Sequence, residues 1–442
     1  MKLRVLFGCL LLTGSLAAQE NLPETSAWTW SYRLDVRGNY RESNHDRFRL
    51  SFPFTPEQLP PGASAAWEET VDAGSHGELS LVSLMLDLGY GDLFMARVKI
   101  DAVDLYDRNP TSGDRKVDAD ELWIRFGRRP EGLELPEGTS VFLQLGKAPK
   151  FERQPVLLLE SYGLASTAFN RFEDTQALAG GSIGRNVYWR AQVSSGNPLF
   201  FRDPNALAGD NGIDELRTPN PNPELKSGFP ILYDAEVESL FLDTDHLESG
   251  GGVGYRWVAE DASSGFDILA FFYQRELAET VELEGTFYGG DLDLLDGVGP
   301  HSLAIDGDRK REAGARLHGE WGGLAIVAQY VSQEMAGLER DGWEIEAGYQ
   351  IPLGFGPQSG GVPLLSWIQP AVRYSELDHH FRGPVTYPAP SVWWDWRKID
   401  AGVQLGLGDR VMVTLEHAFH EIMIPVELDV DETLLSVRYT LR

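Results

Sequence analysis

Trp28-Thr-Trp-Ser-Tyr-Arg-Leu-Asp-Val-Arg-Gly-Asn-Tyr-Arg41 reads as two interleaved rows. One row is Trp28, Trp30, Tyr32, Leu34, Val36, Gly38 and Tyr40; the other is Thr29, Ser31, Arg33, Asp35, Arg37, Asn39 and Arg41. Successive side chains on a strand point to opposite faces. This segment therefore predicts a ribbon that is apolar and aromatic on one side and polar or charged on the other. Similar segments recur to the last residues of the chain. That is the pattern of strands that face lipid and a watery lumen by turns.

The N-terminal residues fit a strand-built membrane protein. Lys2 and Arg4 precede an apolar run from Val5 to Leu12, and Ser15-Leu-Ala17 supplies a small-x-small cleavage signal. Residues 1–18 are expected to be a signal peptide and 19–442 the barrel itself. Cys9 is the only cysteine, so the mature chain would hold neither a disulfide nor a thiol. Beyond the leader, no apolar run approaches the ~20 residues of a spanning helix. A chain of this kind crosses lipid only as a closed barrel, which leaves no backbone group unpaired.

Alternation and turn residues together predict an orderly series. Strands are expected near 28–41, 78–89, 93–105, 118–128, 140–147, 174–182, 187–195, 250–259 and 265–275. The series continues near 311–321, 324–334, 342–351, 364–376, 395–407, 410–421 and 432–442. Tight connections at Gly89–Asp92, Ser182–Asn186, Gly322-Gly323 and Gly408-Asp409 alternate broadly with long ones, of which 196–248 is the longest external loop. The fold class is all-β: a transmembrane, antiparallel, up-and-down barrel of about 16 strands, with short periplasmic turns and long external loops. A closed sheet of that size is too wide to fill with side chains and leaves an aqueous channel. A soluble sandwich would instead turn its apolar row inward. Trp28, Trp30, Tyr90, Trp321, Trp343, Tyr349 and Tyr439 sit near strand ends, as interfacial aromatic girdles do.

The net charge is −29, from 67 acidic against 38 basic residues. Phosphate neutralisation requires a basic face, so nucleic acid is excluded as a partner. If the apolar row meets lipid, the other row lines the pore. It carries Arg33, Arg37, Arg41, Arg97, Lys99, Arg125, Arg190, Arg316, Arg373 and Arg438. Like charges around a lumen select ions of the opposite sign. Arginine suits phosphate and carboxylate because its planar fork binds two oxygens at once. The same rows carry Asp35, Asp87, Asp101, Asp267, Glu344 and Glu346, so paired wall charges are the competing reading.

Residues 147–171 form the third external connection and are the candidate constriction. They carry Lys147, Lys150, Arg153 and Arg171 against Glu152 and Glu160. The apolar Val156-Leu-Leu-Leu159 within them is odd for a water-exposed loop and is expected to pack on the inner wall.

Enzymatic motifs do not hold together. Gly180-Gly-Ser-Ile-Gly184 has the spacing of a hydrolase elbow, but it lies between two strands where the elbow needs a strand-to-helix turn. His417 and His420 fall on opposite faces of a strand and do not form His-Glu-x-x-His. The acids of 210–215 and 291–293 do not complete a calcium loop. No catalytic residue, metal or cofactor is expected.

Several segments resemble the phosphate-selective porin O and P family. They are Gly146-Lys-Ala-Pro-Lys-Phe-Glu152, Arg171-Phe-Glu-Asp-Thr175, Gly342-Trp-Glu-Ile-Glu-Ala-Gly-Tyr349 and Ile368-Gln-Pro-Ala-Val-Arg-Tyr-Ser375. The resemblance implies a Gram-negative outer-membrane porin, commonly a homotrimer, in which small hydrophilic solutes diffuse passively. Phosphate or anion bias is left open. A polysaccharide (alginate-like) export barrel shares the leader, the strands and an arginine-rich lumen, with Trp123, Phe271, Tyr273 and Trp367 as stacking candidates. An outer-membrane barrel enzyme is the remaining alternative.

Overall fold

In the computed structural model the described residues are 28–44, 47–50, 66–69, 75–104, 117–196 apart from 131, 137, 162 and 170–172, 247–277, 306–382 apart from 360, and 395–442 apart from 425. The expected signal peptide, Arg171, almost all of the 196–248 connection and the acids of 210–215 and 291–293 lie outside them.

Alternating side chains produce the strands, and turn residues end them. The first half comprises β1 (Trp28–Ser43), β2 (Ser75–Tyr90), β3 (Phe94–Asp104), β4 (Asp118–Phe126), β5 (Ser140–Pro149), β6 (Glu173–Ile183), β7 (Val187–Ser194) and β8 (Glu248–Val258). The second half comprises β9 (Ser264–Glu276), β10 (Arg309–Trp321), β11 (Leu324–Met335), β12 (Leu338–Tyr349 continued by Ile351–Ser359), β13 (Val362–His379), β14 (Asp395–Leu407), β15 (Val411–Ile424) and β16 (Val426–Leu441). Both pieces of β12 pair with β13, so they form one strand interrupted at Gln350. A short ribbon, Arg47–Leu50 with Ala66–Glu69, stands outside the barrel sheet. One short helix, α1 (Leu164–Phe169), interrupts the expected all-strand pattern.

Each strand pairs antiparallel with its sequence neighbour, and β1 pairs with β16 from Leu34↔Leu441 to Ser43↔Glu432. The sheet is therefore a closed barrel of 16 strands. The hairpins at Gly322 (φ 61°) and Gly408 (φ 64°) use the left-handed region that favours glycine, which sets where these strands stop. Trp28 pairs with Tyr90, at the same end as Leu441. In bacterial barrels the end that holds both termini and the short turns is periplasmic. One connection at this end, 127–139, is much longer than the others.

The two faces differ as the alternation requires. Outward-pointing Leu86, Ile124, Ile268, Ile345, Val372 and Val437 are exposed. Arg37, Arg41, Asp101, Glu346, Arg373 and Asp400 point inward and are buried. A continuous apolar belt on the outside of a closed sheet has lipid as its natural neighbour. The aromatic girdles appear at both rims. Trp28 and Tyr90 rings lie 5.0 Å apart at the periplasmic rim, and Trp343 and Tyr374 rings lie 4.8 Å apart toward the other.

Val372 sits mid-strand on the belt. Val372→Arg is expected to destabilise the barrel by about 2–4 kcal/mol in bilayers, read from urea titrations of folding into lipid vesicles.

Candidate functional site

The segment after β5 turns into the barrel and crosses to the opposite wall. Phe151 and Tyr273 rings meet at 5.3 Å at its root. Leu158 and Leu159 pack with Ala371, and Val156 and Ala325 adjoin them, so the Val156–Leu159 run finds the inner wall. Burying irregular backbone leaves amides and carbonyls that need partners. Wall charges supply them. Glu346 accepts the Leu158 N–H (3.0 Å), Glu416 accepts those of Glu160 and Ser161, and Glu344 accepts that of Ser166 (3.0 Å). Arg373 donates to the Ser161 carbonyl (2.8 Å) and Arg340 to the Ala168 carbonyl (3.1 Å). A Cβ on Gly163 would collide with the Glu344 carboxylate, so glycine permits this approach.

Most of the candidate basic residues are already paired. Arg37 (3.0 Å) and Arg438 (2.7 Å), cross-strand neighbours, both bind Glu160 of the loop. Arg373 lies between Glu346 and Asp400, with Asp400 at 2.9 Å. Arg33 pairs with Asp35, Arg97 with Asp87, Lys99 with Asp101 and Asp120, and Arg316 with Asp267. In the loop, Lys150 reaches Glu248 (2.8 Å) and Arg153 reaches Glu173. Lys147 belongs to β5 itself; the alternation breaks at Gly146 (φ 127°), and Lys147 beyond it is buried.

Arg190 is different. It is 6% exposed and donates to the neutral Trp189 carbonyl at 2.8 Å. Its guanidinium stacks over Phe142 (4.9 Å) and Tyr188 (4.7 Å). Among the described residues no carboxylate lies within ion-pair reach of it. Gly180 and Gly252 are its cross-strand neighbours. A Cβ on Gly180 would come within 2.6 Å of the Phe142 ring and 2.9 Å of Arg190 Cδ. The glycine that opens the elbow-like motif is thus needed for packing, and Ser182 Oγ donates to the Gly138 carbonyl (2.7 Å).

Arg190 opens onto a chamber of about 310 Å³ between the loop and the periplasmic end of β3–β10. Pro149–Pro155 of the loop cover one side, and Arg129, Pro130 and Gly132 of the 127–139 connection close the other. Among the described residues, eight basic groups line it against two acidic ones, Glu121 and Asp267. Six of the eight (Arg97, Arg125, Lys150, Arg153, Arg190 and Arg316) were candidates from parity or loop position. Arg129 and Arg256 were not. Arg256 shares a strand row with Gly250, Gly252 and Gly254, and a glycine row ending in a lone arginine was the available signal. Arg129 lies in a turn and has no periodicity to reveal it.

The 127–139 connection tucks under the lumen. Arg256 donates to the Glu134 carbonyl (2.7 Å), and a Cβ on Gly265 would touch Leu133 at 3.3 Å. Pro130 is buried.

No family model matches the chain, and no curated protein matches it in sequence. Solved structures share its fold. OprB of Pseudomonas putida is 10% identical with a TM-score of 0.51, covering 93% of this chain and 94% of its own. The outer membrane channel DcaP of Acinetobacter baumannii is 6% identical with a TM-score of 0.51, covering 95% of this chain and 99% of its own. The barrel is thus of the type found in Gram-negative outer-membrane channels.

Glu416→Ala removes the acceptor of two buried amides. Hydrogen exchange at Glu160 and Ser161 is expected to quicken by at least tenfold, reflecting a local loss of about 1–3 kcal/mol. At the loop root, burial pushes the Glu152 carboxyl from its usual 4.5 up to about 7, with Lys150 opposing and Glu312 reinforcing. Tyr273 donates a hydrogen bond to it, and Asp174 and Glu248 are also near Lys150. The raised value means the root is held best when Glu152 is protonated, and loses that stability as pH rises through about 7. Protection factors at the loop root, taken relative to the intrinsic base-catalysed rate, should therefore fall between acidic and alkaline pH, and Glu152→Gln should flatten that fall.

Proposed function

We propose that the chain is a diffusion porin of the Gram-negative outer membrane, passing small hydrophilic solutes with a bias toward anions. The observation that carries this reading is the basic chamber beside the inward-folded loop. A solute that crosses the barrel next to the loop meets eight basic groups and two acids. Low-dielectric walls focus that charge on the path.

The wall pairs do not cancel the bias. Arg37, Arg373 and Arg438 are consumed in holding the loop, whereas Arg190 faces the chamber with rings and a neutral carbonyl around it. The candidates thus divide in two: one set builds the constriction and the other sets its sign. Phosphate is the anion that the family resemblance favours, and arginine forks suit it. A homotrimer is the assembly the same resemblance implies. Polysaccharide export is less well supported, because two of its four stacking candidates are covered by cations: Trp123 by Arg97 and Arg125, and Tyr273 by Lys150.

The zero-current potential of the refolded protein in a planar bilayer, under a potassium chloride gradient, tests this directly. An anion-selective sign is expected, and a cation-selective sign overturns the bias. Replacing Arg190 and Arg316 together by glutamate should lower the chloride-over-potassium permeability ratio by about tenfold, or ~1.4 kcal/mol. Absence of any conductance would remove the porin reading itself.

A further inference from the structure

We propose that the chamber is a discrete, saturable site for one small organic dianion, held between Arg190 and the Arg256–Arg316 pair. This rests on the reading of the lumen as an anion path and adds to it the class of ligand that lingers there.

Charge balance points to two negative groups. Arg256 (3.5 Å) and Arg316 (3.2 Å) share the single carboxylate of Asp267, so one of their two charges is unmatched. Arg190, with no carboxylate in ion-pair reach among the described residues, supplies a second, while Arg125 and Arg129 have contacts of their own. The other acid of the lining, Glu121, is engaged by Trp123 Nε1 at 2.8 Å and by Arg97 at 3.7 Å. Arg316 is 7% exposed, and its Nε has no hydrogen-bond partner among the described residues. Buried charged donors left unpaired are costly, so such a site is completed by a ligand that accepts from them.

Geometry narrows the class further. Arg190 and Arg256 flank the same Tyr188 ring, at 4.7 and 5.1 Å from its centroid. The ring lies against both guanidinium groups, and the N–H groups not given to the Trp189 carbonyl, the Glu134 carbonyl and Asp267 are left for a ligand. Edge-on guanidinium groups favour carboxylate or phosphoryl oxygens, taken two at a time. The volume of about 310 Å³ exceeds what a single inorganic ion fills and lies at the lower end of small-molecule pockets, about 300–1,000 Å³. With the loop on one side and the 127–139 connection on the other, a ligand is contacted from both. A short carbon skeleton bearing two carboxylates, or one phosphoryl group, fits these demands.

Titration calorimetry on the refolded full chain in detergent, at low salt, tests the site without relying on conductance. The probes are succinate, glycerol 3-phosphate, butyrate and inorganic phosphate. One site per chain is expected for succinate or glycerol 3-phosphate, at least tenfold tighter than for butyrate. The tighter of the two identifies the acidic group preferred. Arg190→Gln should weaken binding at least tenfold, and exposed Arg397→Gln should leave it unchanged. Gln144→Glu, which places a competing carboxylate in the lining, should weaken it as well and serves if Arg190→Gln does not fold. Equal affinity for butyrate, phosphate alone binding tightly, or an unaffected Gln144→Glu would overturn the proposal. Anion-selective conductance without dianion binding would leave the porin reading intact and remove the site. Dianion binding without anion-selective conductance would do the reverse.

Discussion

Closure of the sheet is the constraint on which everything else depends. In hydrocarbon every backbone amide and carbonyl needs a partner within the protein, and an open sheet leaves two unpaired edges. Pairing of β1 with β16, from Leu34↔Leu441 to Ser43↔Glu432, removes both. Closure also gives the chain an inside and an outside. The strict alternation of side chains then sends one row of every strand to the belt and the other to the lumen. An unmatched shift of one residue would exchange the two rows, which is why apolar outward residues and charged inward ones specify register so strongly. Local bulges, such as that between Arg37 and Gly38, adjust the pairing without exchanging them.

The closed wall creates a second demand. A 16-stranded barrel has more interior than its wall side chains fill, and this one receives a loop. The loop has little regular structure beyond α1, so its backbone cannot satisfy itself. Charged side chains of the opposite wall do so, with carboxylates for its amides and arginines for its carbonyls. Apolar contacts, at Leu158 and Leu159 with Ala371 and at Phe151 with Tyr273, add to the attachment. Many of the lumenal charges thus serve as fittings for the loop, and their salt bridges are structural.

What the loop leaves open acquires a sign of its own. Net charge sums over the whole chain, whereas the field in a chamber is set by the groups around it. A chain of net charge −29 therefore holds a space lined by eight basic groups and two acidic ones. Glycines make that space possible. Gly180 and Gly252 leave room for Phe142, Phe151 and the aliphatic stem of Arg190.

The sequence by itself determined the strands, their number and the two faces, and it marked Val156–Leu159 as a run suited to the inner wall. Alternation, turn residues and length are local properties, readable one segment at a time. It also reached six of the eight basic residues found in the chamber among the described residues, four from strand parity and Lys150 and Arg153 from loop position, because both are local. Only the tertiary structure decided which arginines are spent on carboxylates and which face open space. Arg438 and Glu160 are 278 residues apart in sequence, and no local pattern records their meeting. The inward fold of 127–139, the break of alternation at Gly146 that leaves Lys147 buried, and the place of Arg129 were likewise settled by the tertiary structure. Each depends on distances across a closed barrel, and those exist only once the first strand has met the last.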